Sequence, residues 1–236
     1  MIICLCCNER FAEKPTWRAL FLHEPQARLC NRCEQQLCPV SEVACQICSR
    51  SLDKLSPEQY QDGICYDCLR WEKDERTKGL LERNVSLFEY NSFLKEWLTM
   101  YKFRGDAVIA TYFASKLKKV YHEKFSEYLP VPIPLHEERL MERGFNQAEL
   151  FMKGWAEPYP LLVRQLDSKQ SKKTRQERVQ QVLAPVFSLN REVILPKSNI
   201  VLIDDIYTTG TTLRQAAVTL KKFGISKVAS ITVARA

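Results

Sequence analysis

The sequence predicts an α/β protein, a parallel sheet flanked by helices, preceded by a small metal-binding module. Two observations carry this. All ten cysteines lie between positions 4 and 68, most of them in Cys-x-x-Cys pairs. Near the C-terminus, an apolar run ("NIVLID", 199–204), a loop, an amphipathic helix and a second apolar run succeed one another, the order of a βαβ unit.

The 236 residues suit one large domain or two small ones. Charge changes where the cysteines stop. Residues 1–75 hold 9 Lys and Arg against 12 Asp and Glu, and residues 76–236 hold 26 against 16. We expect a cysteine-rich module over 1–75 and an α/β domain over 80–236, joined within the charged run 69–79. The net charge of +10 on the second part points to a phosphate-bearing partner, although solubility charge gives the same composition. No apolar run is long enough for a membrane helix, and the first residues lack the pattern of a secretory signal. The expected location is cytoplasmic.

In the first module, the pairs Cys4/Cys7, Cys30/Cys33, Cys45/Cys48 and Cys65/Cys68 can each offer two thiolates from a tight turn. Two pairs make the four-sulfur shell that Zn2+ prefers. The last two pairs are separated by 16 residues, within the spacing of zinc sites, and the first two by 22. Disulfides fit poorly in a cytosolic chain, and a redox Cys-x-x-Cys is usually a single pair. Sequential pairing, the preferred arrangement, gives two zinc ribbons; interleaved pairing gives a cross-brace. Cys6 and Cys38 fall outside the pattern. Sites closed by four protein ligands are structural and supply folding free energy.

The elements of the second module follow in order. "VSLFEY" (85–90) alternates as a strand does. "SFLKEWLTMYKF" (92–103) is a helix with Phe93, Leu94, Trp97, Met100 and Tyr101 on one face and Ser92 as its cap; Gly105 breaks it. Residues 106–127 form a long helix with Tyr112, Phe113, Leu117, Val120 and Tyr121 inward. "LPVPIP" (129–134) carries alternate prolines, which the pattern alone assigns to an edge or irregular strand. Arg139 and Arg143 then flank a turn at Gly144 before a helix over 145–156, a junction suited to an oxyanion. Residues 164–181 are strongly basic and read as a mobile loop. Strands follow at "APVFSLN", weakly at "EVIL", and at "NIVLID"; helix 211–223 stops at Gly224, and "SKVASITVAR" is the last strand.

Asp204 and Asp205 stand at the C-terminal end of a buried strand, where α/β sheets bind ligands. Gly210 lets backbone approach closely, and Thr208, Thr209, Thr211 and Thr212 add hydroxyls at a helix N-terminus. Two carboxylates oppose a bare phosphate, but they suit a phosphate joined to a sugar whose hydroxyls donate to them. A divalent metal is a second use for the acids.

Residues 200–212 closely resemble the phosphoribosyl-pyrophosphate (PRPP) motif of type I phosphoribosyltransferases: apolar strand, two acids, two bulky residues, Thr-Thr-Gly-x-Thr. The resemblance implies that Asp204 and Asp205 hold ribose hydroxyls and Thr208 to Thr212 the 5′-phosphate. The Cys-x-x-Cys pairs, "YKFRGD", "VPIPLHEERLMERGFNQ" and "VLIDDIYTTGTT" occur in the order found in the ComF family of competence proteins. That resemblance implies a zinc-binding region joined to a type I phosphoribosyltransferase-like domain, acting in natural transformation on incoming single-stranded DNA beside a helicase-like, ATP-driven translocase. It also makes the proline-rich strand part of the sheet.

Two activities fit. As an enzyme, the domain would transfer a phosphoribosyl group from Mg2+-bound PRPP to a base that the sequence does not name. Arg139, Arg143 and Gly144 would meet pyrophosphate, and Lys172, Lys173 and Arg175 would form a basic flap. As an adaptor, it would bind single-stranded DNA, with Tyr101, Phe103 beside Arg104, and Trp71 beside Arg70 as stacking candidates. Helical aromatic stripes more often bury.

Overall fold

The computed structural model describes residues 1–12, 28–104, 107–165 and 186–236. The basic candidates Lys172, Lys173 and Arg175, and the helix break at Gly105, lie outside them.

The cysteine-rich region contains the short ribbon β1 (Ile2–Ile3) and β2 (Arg10–Phe11), helix α1 (Asn31–Glu34), the ribbon β3 (Tyr60–Gln61) and β4 (Ile64–Cys65), and helix α2 (Tyr66–Lys73). Next come β5 (Asn84–Glu89), α3 (Ser92–Arg104), α4 (Ala107–Lys124) and β6 (Tyr128–Pro132). Two short helices, α5 (Glu137–Arg143) and α6 (Gln147–Leu150), precede the antiparallel pair β7 (Leu162–Arg164) and β8 (Phe187–Leu189). The chain ends with β9 (Asn199–Tyr207), α7 (Thr211–Lys222) and β10 (Val228–Arg235).

The central sheet is parallel throughout, in the order β5-β10-β9-β6. Its middle strands are apolar and buried on both faces, as parallel strands under helices must be. Alternation along β9 sorts the core. Ile200 and Leu202 face α7, through Leu213, Ala216, Ala217 and Leu220. Val201 and Ile203 face α3 and α4, through Trp97, Tyr101, Phe113 and Leu117. The cysteine region supplies both layers: Cys4, Cys30 and Cys33 join the α3–α4 side, and Cys45, Cys48, Cys65 and Cys68 the α7 side. Between the two groups the chain runs along β5, where Val40 N donates to Leu87 O at 3.2 Å and Glu89 N to Cys38 O at 2.8 Å.

The alternate prolines have a geometric reason. Among the described strands β6 is an edge, and Ile133 N donates to Ile203 O at 2.9 Å. Odd-numbered residues therefore turn their N–H groups toward β9. Pro130 and Pro132, which have none, turn outward. The strand is both part of the sheet, as the resemblance implies, and at its edge, as the pattern implies.

Several boundaries differ from expectation. Helix α3 is capped by Asn91, whose Oδ1 accepts from Leu94 N at 2.9 Å, rather than by Ser92. "EVIL" (192–195) forms no strand. The helix expected over 145–156 is regular only at Gln147–Leu150, and Arg139 and Arg143 lie on α5, a helix the pattern does not suggest, with Gly144 in the left-handed conformation as its cap (φ 72°). Gly224 ends α7 as expected: its N–H bonds to Lys221 O at 3.0 Å and that of Ile225 to Leu220 O at 3.2 Å, a Schellman pair.

Candidate functional site: the β9–α7 loop and the cysteine clusters

Between β9 and α7 the chain turns sharply, and its carbonyls are all held from one side. Tyr207 O accepts from Ala236 N at 3.0 Å and from Arg235 Nη1 at 3.3 Å. Thr208 O accepts from Arg235 Nη1 at 3.1 Å, and Thr209 O from Trp71 Nε1 at 3.1 Å. Gly210 O accepts from Arg214 N at 3.1 Å. In a planar trans peptide the N–H opposes the C=O. With the carbonyls of 207–210 turned inward, the N–H groups of Thr208, Thr209 and Gly210 face the other way, at the N-terminus of α7; that of Thr211 donates to Thr209 Oγ1 at 3.4 Å. Convergent N–H groups at a helix start are an anion cradle.

Gly210 is required twice over. Its φ is +77°, and a Cβ there would fall 2.2 Å from the Tyr207 hydroxyl and 2.3 Å from Arg214 Nη1. The Thr209 and Thr211 hydroxyls bond to each other at 2.8 Å, while the Thr208 side chain is exposed. Thr212 is half-buried in the first turn of α7.

The two acids divide roles by alternation. Asp204 is half-exposed and its Oδ1 accepts from Asp205 N at 2.8 Å; Asp205 is buried. Beneath them lies Tyr101, whose phenol pKa is pushed up by burial and by the charge of Asp205; it donates to Gln147 O at 3.1 Å. Arg143 donates to Gln147 Oε1 at 2.9 Å, and Asn146 Nδ2 to Ile133 O at 3.1 Å, so Arg143 belongs to the same end of the sheet. Arg139 is exposed on α5. Two stacking candidates are corrected: Tyr101 and Trp71 are buried, so their faces are closed to bases. Their stripes are core, as helical aromatics usually are.

The cysteines group sequentially: Cys4, Cys7, Cys30 and Cys33 in one cluster on the α3–α4 side, Cys45, Cys48, Cys65 and Cys68 in the other on the side of the loop, with all sulfurs of a group within 4.8 Å of one another. Cys6 and Cys38 join neither. The two clusters repeat one design. Cys4 N bonds to Glu9 O and Asn8 N to Cys4 O; 41 residues on, Cys45 N bonds to Arg50 O and Ser49 N to Cys45 O. Asn8 and Ser49 both have φ 59°. In each, the N–H of the third cysteine, Cys30 or Cys65, donates to the first sulfur at 3.3 Å. The spacing fits a metal. Four thiolates about 2.3 Å from Zn2+ stand about 3.8 Å apart at tetrahedral corners. Cys7 and Cys30 sulfurs are 3.7 Å apart, and those of Cys48 and Cys65 3.6 Å, far longer than a disulfide. Either group can therefore hold a zinc ion.

Sequence reasoning missed Trp71, Arg214 and Arg235 as supports of the loop. An arginine inside two apolar segments, "TTLRQAA" and "TVARA", was the available signal, since a buried guanidinium needs partners.

A parallel α/β sheet with this loop at its C-terminal end defines a phosphoribosyltransferase-like domain. Residues 161–236 match the family model described as "Phosphoribosyl transferase domain". The rest of the chain narrows this further. It is 39% identical to "Competence protein ComFC" of Bacillus subtilis, over 99% of this chain and 95% of that protein. It is 32% identical to the protein of the same name from Streptococcus pneumoniae, over 98% and 99%, and 26% identical to "Competence protein F" of Haemophilus influenzae, over 91% and 93%. The chain belongs to the ComF family of competence proteins. No helix among the described residues is long and apolar enough to cross a membrane.

Proposed function

We propose that this chain is a cytoplasmic competence protein whose β9–α7 loop binds the ribose 5-phosphate group of PRPP or a related ligand while the protein handles incoming single-stranded DNA. One observation supports the ligand most: the carbonyls of 207–210 are tied inward, which turns the N–H groups of 208–210 toward a phosphate, beside two carboxylates that suit ribose hydroxyls. A sugar phosphate satisfies both halves of the site; a bare phosphate satisfies one.

Arg143, and Arg139 on the same helix, would meet a pyrophosphate or a DNA backbone, and Mg2+ would arrive with a pyrophosphate-bearing ligand. Lys172, Lys173 and Arg175 are the candidates for a basic flap over it. Zn2+ would fill both cysteine clusters and hold their knuckles folded. Competence comes from the names of the relatives; DNA uptake with a helicase-like translocase as partner is what the resemblance to the ComF family implies, and the positive charge of residues 76–236 supports a nucleic-acid partner. The enzymatic alternative, phosphoribosyl transfer to a base, uses the same residues. There the loop and arginines would hold the leaving group while C1 ionises.

The test is calorimetric titration of PRPP with Mg2+, alongside labelled single-stranded DNA at two salt concentrations. We expect saturable PRPP binding and DNA binding that falls steeply with salt. Absence of PRPP binding to the wild-type protein would remove the ligand assignment.

A further inference from the structure

The Cys45 cluster stands directly behind the phosphate loop, and buried side chains join the two. Arg235, the last residue of β10, donates Nε and Nη2 to Cys48 Sγ, each at 3.4 Å, and Nη1 to the carbonyls of Tyr207 and Thr208. One guanidinium thus spans from a metal-ligating sulfur to the loop. Trp71 lies three residues beyond Cys68 on α2, and its Nε1 holds Thr209 O. Its ring carries the Arg214 guanidinium 4.6 Å from the centroid, and Arg214 Nη1 reaches the Tyr207 hydroxyl at 2.8 Å. Every carbonyl from Tyr207 to Gly210 therefore accepts from Arg235, Trp71 or Arg214, and each of these rests on the cluster or on its helix.

Charge explains why arginines are used. Four thiolates around a divalent zinc ion leave two formal negative charges in the core. The Arg235 guanidinium beside them offsets part of that charge, and the equally buried Arg214 lies one layer further on, over the Trp71 ring. Arg235 can do so only while the sulfurs are gathered. Partners that orient metal ligands in this way are part of the centre.

We propose that Arg235, aided by Trp71, is a positioning residue that couples metal occupancy of the Cys45, Cys48, Cys65 and Cys68 cluster to the order of the ribose-phosphate loop. Metal and sugar phosphate then bind cooperatively, and each must strengthen the other by the same factor. The ligand half of this inference rests on the function proposed above; the loop-order half does not.

The experiment uses full-length, zinc-loaded protein. Amide hydrogen exchange over Thr208–Thr211 is measured in wild type, Arg235→Gln, Trp71→Phe and Arg32→Gln. Arg32 is an exposed arginine beside the other cysteine cluster, paired with Glu9, and serves as the control. We expect exchange to rise about tenfold in Arg235→Gln, less in Trp71→Phe, and not at all in Arg32→Gln. Ribose 5-phosphate affinity should fall about tenfold in Arg235→Gln. Arg235→Lys should restore zinc retention but not loop order, because an ammonium keeps the charge and lacks the fork. Saturating ribose 5-phosphate should slow chelator release of one zinc of the two.

Unchanged loop exchange in both Arg235→Gln and Trp71→Phe would overturn the coupling. So would zinc release indifferent to a ligand that demonstrably binds. If Arg235→Gln does not fold, Trp71→Phe decides, since it keeps an aromatic ring under Arg214 while removing the Nε1 donor, at the cost of part of the buried indole. If wild type binds no ribose 5-phosphate, the functional reading fails and the exchange comparison alone decides the coupling.

Discussion

The two cysteine clusters share a backbone design and differ in what surrounds them. In the first, Cys7 is partly exposed, and the exposed Arg32 is shared between the Cys7 sulfur and Glu9. In the second, all four cysteines are buried, Arg235 is locked onto Cys48, and the helix that follows supplies Trp71. The first packs on the α3–α4 face and the second under the β9–α7 loop. A repeated local fold thus meets two surroundings according to the face of the sheet it covers, and on the reading proposed above only the second also supports a site.

This contrast can be broken by mutation, and the largest effect should come from the second cluster. Cys45→Ser with Cys48→Ser should release one zinc and leave Arg235 buried without its sulfur acceptor. Removing one partner of a buried charge pair costs about 3–5 kcal/mol. The same change at Cys4 and Cys7 should also release one zinc but lower the unfolding temperature less, since Cys7 is partly solvated. Metal analysis and thermal melts compare the two; equal melts would erase the distinction.

At the loop, Asp204→Asn with Asp205→Asn should weaken ribose 5-phosphate binding about 10- to 100-fold, the value of charge-assisted hydrogen bonds to sugar hydroxyls. Single-stranded DNA affinity should change little. A parallel loss of both would mean that DNA uses the same acids.

Gly210→Ala acts on the backbone alone. The left-handed φ and the two close side-chain atoms should cost about 1–3 kcal/mol, and binding should fall with it. Denaturant melts would show this as a lower midpoint with an unchanged slope. The smallest effect belongs to Arg32→Gln, whose exposed pair with Glu9 should contribute nothing measurable to stability at physiological salt.

Much of this molecule is legible in its sequence because the informative residues act locally. Cys-x-x-Cys spacing reflects one tight turn, and the β9 pattern reflects burial on both faces of one strand. The Thr-Thr-Gly-x-Thr loop is likewise a local turn, set by the left-handed Gly210. Alternate prolines correctly signalled an edge because their missing N–H groups all fall on one side. What could not be read is long-range. Trp71 is 138 residues from Thr209 and Arg235 is 187 from Cys48, so neither spacing nor periodicity reveals those bonds. Trp71 and Tyr101 were offered to DNA for the same reason: a stripe of aromatics does not state which surface covers it. Asn91 displaced Ser92 as the helix cap because both are good caps one residue apart, and only backbone geometry chooses.

The central claim is that the β9–α7 loop binds a ribose phosphate through outward N–H groups beside two acids. The most direct measurement is a titration of 15N-labelled protein with ribose 5-phosphate, followed at the amides of Thr208, Thr209, Gly210, Thr211 and Thr212. Saturable shifts concentrated at these amides and at Asp204 and Asp205, and absent with ribose alone, are the expected result. Shifts centred elsewhere, or none at millimolar ligand, would contradict the account.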